Sequence, residues 1–140
     1  MRGTVERTPE QECADGDEVV VIDDDPDALE VATLAIERAG LRARPFRDAA
    51  EALRAIRKKP PALVMTDLSM RPLHGVELAR TMRATPALAR IPLIALTGVT
   101  DPEWATICQF DAYIRKPVEL QEIADLAGTL IPKSKVIARS

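Results

Sequence analysis

Aromatic side chains are scarce: one Trp, one Tyr and two Phe make up 3% of the 140 residues. The core must therefore be filled by Ala, Val, Leu and Ile. Cysteine is almost absent as well, and Cys13 and Cys108 have the spacing of neither a metal site nor a redox motif. Two unrelated free thiols in a cytoplasmic protein are expected. No apolar run approaches the roughly 20 residues that span a bilayer. The segment Met1 to Gly16 lacks the apolar stretch of a signal peptide. A cytoplasmic location with no membrane partner follows as an expectation. The positive charges form no block and the net charge is -3, so no nucleic-acid partner is expected.

What is present is an ordinary globular balance, 46% hydrophobic and 29% charged, in a length that suits one domain. Residues 1–16 read as a disordered leader rich in Glu, Asp, Thr and Gly. Residues 17–131 read as the domain, and 132–140 as a short basic tail. Val19-Val20-Val21-Ile22, Leu63-Val64-Met65 and Leu93-Ile94-Ala95-Leu96 are continuous apolar runs, the pattern of strands buried on both faces of a parallel sheet. Leu41 to Phe46 interleaves arginines and holds Pro45, which places it at an edge. Ala112 to Ile114 completes a set of five strands. Helical stripes separate them: Leu29, Ala32, Ile36 and Ala39, closed by Gly40; Ala49, Ala52, Leu53 and Ile56, closed by Lys58-Lys59; Gly75 to Met82; and Leu120, Ile123, Ala124, Ala127 and Leu130. The β-α alternation predicts a doubly wound α/β fold with helices on both faces of a five-stranded parallel sheet.

Open parallel sheets bind ligands beyond the carboxyl ends of their strands. The residues there are Asp23 and Asp24 after the first run, Asp67 after the third, Thr97 after the fourth and Lys116 after the fifth. Each has a mundane reading alone: a turn aspartate, a β-branched strand residue, a surface lysine. Asp25-Pro26-Asp27 is explained as a helix start, with an N-cap, proline at N1 and an acid in the first turn. Two further acids directly behind a buried strand are not explained that way, because like charges repel and desolvation is costly. Clustered carboxylates need a cation, and an all-oxygen set at a solvent-open rim suits magnesium. Beside a carboxylate nucleophile, a magnesium ion and a lysine, an incoming phosphoryl group would meet compensating positive charge.

These segments resemble the receiver domains of two-component response regulators, including the single-domain chemotaxis type, over residues 17–131. The matching stretches are Val19 to Asp27, Leu63 to Met70 with Gly75, Ile91 to Gly98, and Asp111 to Pro117. The resemblance implies the flavodoxin-like fold, with Asp67 as the residue that takes phosphate from a histidine kinase or phosphotransfer protein. It implies magnesium held by Asp23, Asp24, Asp67 and the carbonyl of Ser69, a switch pair of Thr97 and Tyr113, and Lys116 contacting the phosphoryl group. Such a domain is a regulatory phosphoacceptor, not a turnover enzyme. It signals by docking on a downstream protein that the sequence leaves unknown, with homodimerisation left open. Three features depart from the pattern. Arg71-Pro72 stands where proline usually follows Met70. Gln109 replaces a common glycine, and the stretch from Thr97 to Lys116 is about one helical turn, ~3.6 residues, short. The helix between strands four and five is accordingly expected to be shortened. The competing expectations are a receiver-like docking domain that acts without phosphorylation and, last, a magnesium-dependent phosphohydrolase.

Overall fold

β-branched and aliphatic residues run unbroken through three segments, and these segments are the three inner strands of one sheet. The structure is a computed structural model, and it describes residues 18–68, 75–97, 110–116 and 119–131. The described elements are β1 (Glu18–Ile22), α1 (Pro26–Arg38), β2 (Arg42–Phe46), α2 (Ala49–Lys58), β3 (Leu63–Asp67), α3 (Gly75–Ala84), β4 (Leu93–Thr97), β5 (Ala112–Arg115) and α4 (Leu120–Leu130). All four strand pairings are parallel, in the order β2-β1-β3-β4-β5. This is the expected doubly wound α/β fold. The helix expected between β4 and β5 lies outside the described residues. So do the leader, the tail, both cysteines, Ser69, Arg71, His74, Trp104, Gln109 and Pro117.

Every residue of β1, β3 and β4 is buried, whereas the edge strands β2 and β5 are partly exposed. Successive side chains of a strand point to opposite faces, so the three inner strands feed two separate cores. Val19, Val21, Met65 and Leu96 pack with Leu29, Ala32 and Ile36 of α1 and with Ile123 and Ala127 of α4. Val20, Ile22, Val64 and Leu93 pack with Ala52 and Ile56 of α2 and with Leu78 and Met82 of α3. Burial of each Val, Leu, Ile or Met side chain among them is worth about 1.5–3 kcal/mol.

Helix starts follow the sequence. Asp25 caps α1 by accepting from the Asp27 N–H at 3.2 Å, with proline in the first turn, and Asp48 caps α2 by accepting from Ala50 N–H at 3.2 Å. Gly40, at φ 88°, ends α1 in the left-handed region that glycine enters without a Cβ penalty. One expectation is corrected. Ala39 does not belong to the buried stripe of α1; it is the exposed C-cap, and Ala35 is buried instead. The helix has already ended at Ala39, so the 3.6-residue period no longer applies there. Lys59 also does more than complement the end of α2. It stands 3.2 Å from the buried carboxylate of Glu18, which Arg44 reaches at 3.2 Å and Arg42 at 3.6 Å. That cluster lies at the amino end of the sheet, opposite the strand ends that carry the acids.

Candidate functional site

The carboxyl ends of β1, β3, β4 and β5 converge at one rim. Asp23 follows β1 directly and is fully buried. Its amide donates to Phe46 O at 3.1 Å, and its Oδ1 accepts from the Asp25 N–H at 3.0 Å, so backbone contacts on two sides orient the carboxylate. Asp67 ends β3 and is 4% exposed. Lys116, just past β5, spans the two acids: its Nζ lies 2.9 Å from Asp23 Oδ2 and 3.1 Å from Asp67 Oδ1. Asp24 is exposed at the mouth, where its carbonyl accepts from Arg47 Nη2 at 3.4 Å. Thr97 ends β4, buried, and its carbonyl accepts from the Lys116 N–H at 2.8 Å, which ties the base of the lysine to the neighbouring strand. Tyr113 lies in β5 opposite Ala95 and is 45% exposed. The structure thus brings Asp23, Asp24, Asp67 and Lys116 together. It places Thr97 beside them through the backbone, and it leaves Tyr113 on the outer strand. The Arg47 contact was not foreseen; its only trace in the sequence is a position just past an edge strand.

The electrostatics of Asp23 and Lys116 differ in instructive ways. Burial pushes the Asp23 carboxyl above its ordinary value. The Asp25 amide and Lys116 oppose that shift, and the charge of Asp67 adds to it. Burial pushes Lys116 the other way, but contact with Asp23 and Asp67 outweighs it and leaves the ammonium above its ordinary value. One ion pair therefore prevails at the lysine and not at the aspartate. Depth explains it: the Asp23 side chain is 0% exposed and the lysine 25%.

Asp23 Oδ2 is also buried, with the Lys116 ammonium at 2.9 Å and no further hydrogen-bond partner among the described residues. An anionic oxygen with a single partner has lone-pair capacity left for a further cation. Asp23, Asp24 and Asp67 each offer an oxygen within 4.8 Å of the others. An all-carboxylate set of this kind fits a hard divalent cation.

Gly75 opens α3 against the back of this site. A Cβ there would overlap the backbone carbonyl oxygen of Asp67 and crowd the Leu68 Cα. Gly75→Ala is expected to cost about 1–3 kcal/mol of stability, the usual range for overpacking against a surface that cannot yield. A thermal melt with wild-type stability would show that the α3 start moves freely.

Fold and rim together define a class: a doubly wound α/β domain with a paired acid-lysine pocket at its strand ends. The family model for the response regulator receiver domain matches residues 19–127, and the chain belongs to that family. Among curated proteins, it is 30% identical over 105 residues to the DNA-binding response regulator MtrA of Mycolicibacterium smegmatis. That alignment covers 75% of this chain and 46% of the relative, so the chain spans about half the length of that protein. Among solved structures, a response regulator from Chloroflexus aurantiacus J-10-fl superposes with a TM-score of 0.79 at 24% identity, covering 83% of this chain and 98% of the other. The receiver domain of a sensor histidine kinase from Pseudomonas aeruginosa PAO1, solved with magnesium in its active-site cleft, gives 0.76 at 24% identity with the same coverage. No helix among the described residues is long and apolar enough to cross a membrane.

Proposed function

We propose that residues 17–131 form a phosphorylation-switched receiver in which Asp67 accepts a phosphoryl group from a histidine kinase or phosphotransfer protein. The observation that carries the reading is Lys116 Nζ poised between the buried carboxylates of Asp23 and Asp67 at 2.9 and 3.1 Å. A carboxylate oxygen of Asp67 attacks phosphorus, the bond to the donor breaks with its electron pair, and an acyl phosphate results. Lys116 exchanges part of its contact with Asp67 Oδ1 for the new phosphoryl oxygens, which carry more charge. Asp23, Asp24 and Asp67, with the carbonyl of Ser69, would hold magnesium, which when bound supplies positive charge to the transferring group. Thr97 and Tyr113 act as the switch pair, and phosphorylation shifts the population toward the arrangement that docks on a downstream protein. The domain then regulates and does not turn over a substrate.

The test is incubation with magnesium and acetyl phosphate. One hydroxylamine-labile phosphoryl group is expected, on the peptide that contains Asp67. Absence of modification under saturating donor would leave a receiver-like docking domain acting without phosphorylation.

A further inference from the structure

Among the described residues, few buried side chains hold β5 in place. It is an edge strand of four residues, Ala112–Arg115, and Ile114 is its one fully buried side chain. A strand with one buried residue specifies its register weakly. Yet Lys116 sits at its end, and a shift of one residue would carry the ammonium away from both acids.

Its opposite end carries a polar lock. Leu93, the first residue of β4, turns both backbone groups toward β5. Its carbonyl accepts from the Asp111 N–H at 2.9 Å, and its N–H donates to Asp111 Oδ2 at 2.7 Å. The second bond is one that a longer β5 would make with a backbone carbonyl; here a side-chain carboxylate stands in its place. The same oxygen accepts from Arg83 Nη2 at 2.9 Å. Arg83, near the end of α3, is itself fixed by donating through Nη1 to Ala89 O at 2.8 Å and Ile91 O at 2.9 Å. One arginine-aspartate pair therefore joins α3, the segment leading into β4, and the starts of β4 and β5.

We infer that Asp111, held by Arg83, is a positioning residue for Lys116: it sets the register of β5 on β4 and so fixes where the ammonium meets Asp23 and Asp67. The lock and the lysine lie five positions apart, about 17 Å of extended strand. Register is transmitted over that span because the ladder is continuous, from Ile94 opposite Ala112 to Thr97 opposite Arg115 and on to the bond from Lys116 N–H to Thr97 O. The inference rests on the proposed phosphoryl chemistry for its functional consequence, but not for the register itself.

The experiment has two readouts, both taken well below the unfolding midpoint of every variant. By amide hydrogen exchange, Asp111→Ala is expected to accelerate exchange at Ile114 and Lys116 while the amides of β1 and β3 keep wild-type protection. Unchanged exchange in β5, or an equal loss across the sheet, overturns the inference. This readout needs no phosphorylation, so failure of the proposed function would not be mistaken for failure here. With acetyl phosphate, Asp111→Ala is expected to slow modification about tenfold, as a misplacement of order 1 Å can. Asp111→Asn, which keeps an oxygen for the Leu93 N–H, is expected to recover most of that rate. In a Lys116→Ala background the Asp111 substitution should add almost nothing, because the two act through one group. Full additivity in that background overturns the assignment, since it would mean that Asp111 affects phosphorylation independently of the lysine.

Discussion

Asp67→Asn is expected to abolish acyl-phosphate formation completely while leaving the domain folded and no less stable. The amide has nearly the shape of the carboxylate but lacks an anionic oxygen, so the nucleophile is gone and the geometry is kept. Stability should not fall, because the charge of Asp67 is one of the influences that disfavour ionisation of the buried Asp23. Removing it relieves repulsion, and Lys116 retains Asp23 Oδ2 at 2.9 Å as a partner. The measurement pairs mass spectrometry after acetyl phosphate treatment with a thermal melt. Retained modification in Asp67→Asn would place the acceptor elsewhere. A large drop in melting temperature would make the loss structural rather than chemical.

The inner sheet was legible because burial on both faces removes polar alternation, so β1, β3 and β4 appear as unbroken apolar runs. The rim was legible for a related reason. Two acids directly behind the first run, Asp23 and Asp24, have no cheap structural explanation, and Asp67 stands out only in company with them, Thr97 and Lys116. Edges were harder. β2 carries Arg42 and Arg44 among its five residues, and these with Pro45 are what mark it as a strand at the margin. Gly40 marks the end of α1 as expected; the exposure of Ala39 is what periodicity hides, because Ala39 fits the stripe as well as Ala35 does but falls on the C-cap. Least legible were pairs that depend on three-dimensional closure. Arg83 and Asp111 lie 28 positions apart and fall in no shared pattern. That Lys116 would bridge two carboxylates, at 2.9 and 3.1 Å, is a matter of ångströms that residue order does not encode. Sequence order thus conveyed which groups meet at the rim, and packing decided how they share charge.

Replacing that shared cation is the second large effect. Lys116→Met is expected to destabilise the metal-free domain by about 3–5 kcal/mol, the cost of breaking a buried pair and stranding its partner. That is a large part of the roughly 5–15 kcal/mol that holds a typical domain together. The penalty falls on Asp23, whose side chain is fully buried and, among the described residues, keeps the Asp25 amide as its hydrogen-bond donor. Magnesium should restore part of the loss by binding the folded state alone. Asp23→Asn should act in the opposite direction and stabilise the metal-free fold, since it removes a charge that burial already disfavours. The pH dependence has a definite sign. The folded-state pKa of Asp23 lies above 3.8, so the native state holds its proton more tightly than the unfolded chain does. Its contribution to stability therefore grows as pH falls through the folded value toward 3.8, and Asp23→Asn should remove that rise. Lys116 has a folded value above 10.5, so its contribution is complete below 10.5 and is lost as pH climbs through the folded value. Urea unfolding in EDTA and in magnesium, repeated across pH, measures all of this. A Lys116→Met domain as stable as wild type in EDTA, or an Asp23→Asn domain less stable, would mean that the buried pair is not the strained charge that its geometry describes.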